Sequence, residues 1–444
     1  MTGCLFSRPS DSLRRRERAM LPEGWHRSKL GEIARITSGG TPDRSEPSYW
    51  DGSVPWVTTG EIQFNTITDT VEKITEAGLK NSSARLFTPG TLLMAMYGQG
   101  KTRGQVAKLA IEASTNQACA AILLHDGHDP DFFFHYLSAQ YEALRKLGNA
   151  GTQQNLSGGI LKEVDILVPP IEEQRQIARI LNTWGDAVST MEASLANRRV
   201  QWQALLAITL HLPPANPDES RTNDNGGYPA SVQPGIPNLP ATPAGWQSIS
   251  LGRHLTEVRR PVALNPNDTY RLVTVKRSRG GVELRETLTG REIKTPTQFY
   301  VRTGDFLISK RQIVHGACGI VPAELDGAVV SNEYAVLNSD GQIDLRFLRY
   351  LSESRYFQQT CFHSSIGVHV EKMIFKTERW LKWPFNIPPL PVQLHIVEVL
   401  DTARREVELI AAQIDRLKQE RAALMADLLT GKRRVRLLDA EAVP

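Results

Sequence analysis

The sequence predicts an α+β chain: two similar α/β domains joined by two long helices that pair as an antiparallel coiled coil. Three observations predict this. Four short motifs recur in the same order in both halves at nearly constant offset. Each recurrence ends in a Pro-Pro pair that leads into heptads of apolar residues. A proline-rich stretch separates the halves.

The repeat is read from its anchors. Pro22-Glu-Gly-Trp25 before Leu30-Gly31 returns as Pro243-Ala-Gly-Trp246 before Leu251-Gly252, an offset of 221. Thr88-Pro-Gly90 returns as Arg302-Thr-Gly304 at 214, and Ser114-Thr-Asn116 as Val330-Ser-Asn332 at 216. Leu167-Val-Pro-Pro-Ile-Glu-Glu-Gln174 returns as Asn386-Ile-Pro-Pro-Leu-Pro-Val-Gln393 at 219. The expected division is a basic tail over 1–20, domains over 21–168 and 243–387, helices over 169–210 and 388–431, a linker over 211–242 and a second tail over 432–444. The first tail carries Arg14, Arg15, Arg16 and Arg18 without a following apolar run, so it does not read as a signal peptide. Met20, just before Leu-Pro-Glu-Gly-Trp, is a candidate natural start; a flexible tail is the alternative.

Within each domain, short strands are expected at Thr91–Met96, Ala118–Leu124, Asp305–Ser309 and Ala328–Leu337, bounded by Gly, Pro and Asn. Helices are expected at Pro130–Lys146 and Asp344–Phe362. Each domain closes on a polar, glycine-bearing loop, Gly151–Ser157 and Ser364–Val370. Proline stops a helix but is tolerated at its start, so the Pro-Pro pairs mark where the long helices begin. Their apolar seams run Ile177, Leu181, Trp184, Val188, Met191, Leu195, Arg198, Trp202, Leu205, Thr209 and Ile396, Leu400, Ala403, Val407, Ile410, Ile414, Leu417, Arg421, Leu424, Leu428, every pair 219 apart. Such heptads argue coiled coil, and at roughly 35–40 residues each helix is about 50–60 Å long. They either tether the domains or fix their spacing. Residues 211–242 hold Pro213, Pro214, Pro217, Pro229, Pro234, Pro237, Pro240 and Gly226-Gly227, and are expected to be irregular or extended.

Composition bounds the function. The chain has 444 residues, 41% of them apolar, and a formal charge of +4, which permits nucleic-acid binding without demanding it. No run approaches the roughly 18 apolar residues of a membrane span. Cys4, Cys119, Cys318 and Cys361 lack CxxC spacing, which argues against zinc and disulfides and suits a reducing cytoplasm. The histidines show no metal-ligand spacing.

The loops at matched places carry residues that can meet DNA. Tyr97-Gly-Gln99-Gly-Lys101-Thr102-Arg103 follows a strand in the first domain and Lys310-Arg311-Gln312-Ile-Val-His315 its counterpart in the second. Gln153, Gln154 and Asn155 in the first closing loop, and His369 in the second, complete the candidate DNA-binding set. Arg and Lys suit guanine edges or phosphates, and Gln and Asn suit adenine. Each residue alone is equally well a solvated loop side chain. Arg198-Arg199, Arg259-Arg260 and Lys432–Arg434 are candidate phosphate contacts or plain surface. Two catalytic motifs compete. Ala95–Thr102 approximates a P-loop, but Ala stands at its first glycine and Arg103-Gly104 is a poor helix start. Glu292-Ile-Lys294 with Asp268 upstream approximates a magnesium nuclease motif. Neither has a counterpart in the other domain. A coiled-coil scaffold without DNA affinity is the structural alternative.

The Leu-Pro-x-Gly-Trp opening, Gly39-Gly-Thr-Pro42, Pro55-Trp-Val-Thr-Thr-Gly-Glu61 and Pro-Pro-Ile-Glu-Glu-Gln-Arg-Gln-Ile resemble type I restriction–modification specificity subunits, over nearly the whole chain from Leu21 to about Lys432. The second domain departs where Pro391-Val-Gln-Leu-His replaces the acidic-glutamine start of its helix. The resemblance implies two target recognition domains, each reading one half of a bipartite site in double-stranded DNA, and helices that act as a ruler. It implies docking of two methyltransferase subunits on helices headed by Gln174 and Gln393, and recruitment of motor–nuclease subunits. Those partners would bring S-adenosylmethionine, ATP and Mg²⁺. This chain would hold no cofactor or metal and carry no catalysis. A free-standing DNA-binding or anti-restriction module on the same fold is the second reading.

Overall fold

Both repeats open on the same turn. The Trp25 N–H donates to the Pro22 carbonyl and the Trp246 N–H to the Pro243 carbonyl, each at 3.0 Å. Gly24 and Gly245 take φ of +80° and +79° there, a conformation that costs other residues strain. The computed structural model describes residues 21–98, 100–147, 155–212 and 227–436. The expected tail over 1–20 therefore lies outside the described residues, as do Gln99, Gln153 and Gln154. The described residues form two units, divided at 193/194 and at 411/412, with the two ends of the chain in the first unit and the middle in the second.

In the first unit, His26–Lys29 pairs antiparallel with Asp165–Val168, the strand that ends at Pro169-Pro170. A five-stranded sheet follows the order Ala34–Ser38, Cys119–Leu124, Leu92–Ala95, Val106–Leu109, Thr66–Ile67. A smaller sheet sets Trp50–Val57 between Glu72–Ile74 and Ser114–Thr115. The larger sheet is apolar on both faces, as its alternating side chains require. Ile36, Leu92, Met94 and Ile122 pack on Phe132, Phe133 and Tyr136 of helix Pro130–Ala139 and on Ile177 and Leu181 of the long helix. Leu93, Ala95, Ala107 and Ala121 pack the other way, on Val57 and Ile62.

The second unit repeats the plan. Gln247–Ser250 pairs antiparallel with Pro384–Ile387. One sheet runs Leu255–Glu257, Tyr334–Ser339, Phe306–Ser309, Cys318–Ile320, and the other Val282–Thr289, Thr269–Val275, Val329–Ser331, Gln298–Tyr300. Phe306 and Ile308 face the helices Leu345–Leu351 and Arg355–His363, and Leu307 faces Val273 and Val275. The expected single strand Ala328–Leu337 is two strands in two sheets, divided at Asn332-Glu333. The expected helix Pro130–Lys146 breaks at Gln140, and Asp344–Phe362 breaks where Ser354 caps a second helix.

The long helices are Ile171–Thr209 and Leu390–Leu428, 39 residues each and in the expected register. Within the first unit, Ile177 and Leu181 share a core with Leu428, and Glu192 meets Lys418 at 2.6 Å. Within the second, Leu206 and Leu210 share a core with Ile396 and Leu400, and Arg198 meets Glu406 at 3.1 Å. In both, residue numbers rise along one helix as they fall along the other, so the pairing is antiparallel.

Two expectations about the flanks change. Residues 227–242 are irregular, as composition predicts, but they lie on the second unit: Val232 is fully buried and Asn386 Nδ2 donates to the Pro240 carbonyl at 3.0 Å. The start of the second tail is packed too, with Val435 against the first core and Arg434 paired with Glu173.

Candidate nucleic-acid interface

In each unit the two loops singled out in the sequence meet. In the first, the Leu156 N–H donates to the Met96 carbonyl at 3.0 Å, which sets exposed Asn155 beside the loop that begins at Tyr97. In the second, the Phe375 N–H donates to the Lys310 carbonyl at 2.8 Å, which joins the closing hairpin to the 310–317 loop. One arrangement built twice from different residues suits a surface that reads different partners.

The first loop turns between two antiparallel strands. Gly104 N–H donates to the Ala95 carbonyl and Ala95 N–H to the Gln105 carbonyl, at 2.9 and 3.0 Å. The chain after Lys101-Thr102 therefore enters strand Val106–Leu109 rather than the helix that a phosphate-binding loop opens. The P-loop reading ends there. Helix Tyr141–Leu147 clamps the loop: the Tyr141 hydroxyl donates to the Lys101 carbonyl at 2.5 Å, and Arg145 donates to that hydroxyl at 2.8 Å. Phe64, at φ +56°, packs edge-on against the Tyr141 ring at 5.2 Å. Tyr97, Lys101 and Asn155 face solvent and Thr102 is half-buried, but Arg103 is buried and is corrected out of the reading set.

In the second unit the turn Lys276–Gly281 holds the 310–317 loop: Ser278 N–H donates to the His315 carbonyl and Arg279 N–H to the Gly316 carbonyl, each at 2.8 Å. His315 is not DNA-facing. Its side chain is buried, with Nδ1 2.6 Å from Ser231 Oγ and Nε2 3.2 Å from Glu371, and burial, with Arg277 nearby, holds its pKa below the ordinary 6.5. Lys310 is also turned inward, paired with Glu257 at 3.0 Å. Gln312 is half-buried at the start of the Ile313–His315 turn. Arg311 (held by Glu333) and His369 remain on the surface. Sequence reasoning passed over Lys276 and Arg277, exposed on the same face, although Lys276-Arg-Ser-Arg-Gly-Gly281 is a basic glycine turn. Arg277 meets Glu371 of the closing hairpin at 3.2 Å, and exposed pairs of this kind contribute little, so a phosphate can displace the carboxylate.

The Gln174 and Gln393 side chains are turned into the fold. Both are buried, at 1% and 0% exposure. Gln174 Oε1 accepts from the Asp129 N–H at 2.8 Å and its amide donates to the Pro169 carbonyl at 2.8 Å. Gln393 does the same with the Asp344 N–H and the Pro388 carbonyl, both at 2.8 Å. Asp129 and Asp344 cap the helices Pro130–Ala139 and Leu345–Leu351, so each glutamine pins a long helix to its domain. Glu173, beside Gln174, accepts from the Trp25 indole at 3.1 Å and pairs with Arg434. Val392 stands in the matching place, and Trp246 packs edge-on against Phe347 at 6.2 Å instead. Gly39 and Gly40 lie so close to Thr115 and Ser83 that any Cβ would fall within 2.2 Å of them, which explains glycine there.

Each basic cluster gives one arginine to an ion pair: Arg198 to Glu406, Arg260 to Asp305 and Arg434 to Glu173. Arg260 is bidentate on buried Asp305 at 2.7 and 3.0 Å. Glu292 accepts from the Thr289 N–H and hydroxyl at 2.8 and 2.7 Å, and among the described residues no three His, Cys, Asp or Glu side chains gather to hold a metal. Cys119 and Cys318 are buried free thiols whose burial pushes their pKa to about 12 and about 11. Among the described residues no helix is long and apolar enough to cross a membrane.

Residues 22–197 match the family described as type I restriction modification DNA specificity domain. Over 197 residues the chain is 29% identical to the type I restriction enzyme MjaIX specificity subunit of Methanocaldococcus jannaschii, covering 43% of each chain. Over 174 residues it is 25% identical to the EcoR124I/EcoR124II specificity subunit of Escherichia coli, covering 37% of this chain and 42% of that one. The matches thus span about two fifths of these relatives' length. The crystal structure of the type I restriction–modification S subunit from M. genitalium shares the fold, with a TM-score of 0.54 at 12% identity over 91% of this chain and 96% of that one.

Proposed function

We propose that the chain, whose residues 22–197 match the type I restriction modification DNA specificity domain, is the specificity subunit of such a complex. Each α/β domain reads one half of a bipartite site in double-stranded DNA. The paired helices set the unread gap between the halves and carry two methyltransferase subunits, which a motor–nuclease subunit joins. Adenine methylation and cleavage belong to those partners, with their S-adenosylmethionine, ATP and Mg²⁺.

The observation that carries this reading is the doubled loop arrangement. Two domains of similar strand order present a strand-end loop and a closing loop side by side, and the loop sequences differ while the flanking sequence motifs recur. Different side chains at matched loops are what two different half-sites call for.

The purified chain tests the absence of chemistry of its own. Wild type, Lys101→Ala and Glu292→Ala should all lack ATP hydrolysis and Mg²⁺-dependent DNA cleavage until the partner subunits are added. Partner-independent turnover that either substitution abolishes would overturn the reading and make the chain an enzyme.

A further inference from the structure

The closing hairpin of the second domain exposes aliphatic side chains that the fold does not use. Ser365–Ile366 pairs antiparallel with Ile374–Phe375, in the register Ser365↔Phe375 and Ile366↔Ile374. Alternation along each strand sends Ser365 and Phe375 inward, where both are buried, and Ile366 and Ile374 outward together. Ile366 and Ile374 are 45% and 38% exposed, and Val368 at the tip is 95% exposed. Single exposed aliphatics are ordinary, but three on one hairpin form a patch. The tip is held in place. A Cβ on Gly367 would lie 2.8 Å from Met373 Cα, so the two limbs touch there, and the Lys372 N–H donates to the His369 carbonyl at 2.8 Å.

The surroundings of the patch are charged. His369 and Lys372 are exposed on the hairpin itself, and Lys276 and Arg277 are exposed on the neighbouring turn. Glu283 and Glu371 pair with Lys276 and Arg277 across exposed contacts of 2.5 and 3.2 Å. An apolar tip ringed by cations that give up weak surface pairs fits a polyanion with apolar groups recessed between its phosphates. DNA offers such a group only as the thymine 5-methyl, in the major groove, which admits a two-stranded β-ribbon.

We propose that this hairpin reads thymine: Val368, backed by the Ile366–Ile374 pair, enters the major groove of the second half-site and packs on a thymine 5-methyl group. His369, Lys372 and Arg277 take the flanking phosphates. The proposal rests on the reading of the second domain as a DNA reader.

The test uses the assembled complex and a duplex carrying the gapped motif whose methylation depends on this gene. Thymines of each half are replaced by deoxyuridine, which lacks only the methyl. Replacement of one thymine in the second half should weaken binding about fourfold, the worth of one buried methyl. Val368→Ala should weaken binding to the thymine duplex and bind thymine and deoxyuridine duplexes alike, with an unchanged melting temperature since Val368 makes no core contact. A second half without thymine, equal binding of both duplexes by wild type, or discrimination that survives in Val368→Ala overturns the proposal and leaves the specificity role intact. A tip wedged between base steps would give the second of these outcomes. A complex that does not distinguish the motif from a scrambled duplex overturns both readings.

Discussion

Gln174 and Gln393 show how a residue at a motif position can serve the fold rather than a partner. Each is buried and joins the first turn of a long helix to the cap of a domain helix. Alanine at either position orphans a buried N–H, so Gln174→Ala and Gln393→Ala should each destabilise the chain by ~1–3 kcal/mol, read as a lower unfolding midpoint. Methyltransferase binding by the folded variants should not change; a docking role would reverse that pattern. Burial also carries a pH signature. His135 is 2% exposed, and its Nε2 lies 2.7 Å from Asn182 Oδ1. Burial holds its pKa below 6.5, as it does for His315. Below about 6.5 the unfolded chain binds protons that the folded one refuses, so stability is present above that pH and declines as pH falls beneath it. Thermal unfolding between pH 8 and 5 should show this decline, and His135→Gln should flatten it; an equal slope in the variant would assign the decline elsewhere. None of this is visible in sequence, because composition cannot say which histidine or arginine turns inward. Arg103 and His315 looked like loop residues for that reason.

The elements were legible where a period or a recurrence marked them. The 219-residue offset of the heptads returned two helices of equal length, each starting after Pro-Pro. Where the chain changes partners without Gly or Pro, the signal failed. Val329–Ser331 and Tyr334–Ser339 read as one apolar run because both are strands, although they lie in different sheets. The break at Gln140 is equally silent: its N–H closes the first helix on the Leu137 and Tyr136 carbonyls, and a helix former stands at the bend. The helix pair yields its own prediction. A seven-residue insertion at matched positions of both helices keeps the seam in phase and adds about 10 Å, or about three base pairs, to the spacer. The methylated motif should then keep both halves and gain that gap. An unchanged gap, or altered halves, would remove the ruler from the account. In the core, Leu181→Ala should cost ~2–5 kcal/mol in unfolding experiments, since Leu181 is fully buried where the first long helix meets its domain.

At the scale of the whole molecule, duplication is the central fact. Two domains share turns, the order of four strands in one sheet and helix anchors, and differ in the loops they present. Such a chain has reason to bind a partner with two unlike halves, and the proposed function makes that partner DNA. Mapping methylated adenines across the host genome, with and without this gene, tests that claim most directly. The account predicts that deletion removes methylation from one asymmetric motif of two defined halves around a fixed undefined gap. Methylation that persists unchanged at every such motif, in a host that expresses the partner methyltransferase, would contradict it.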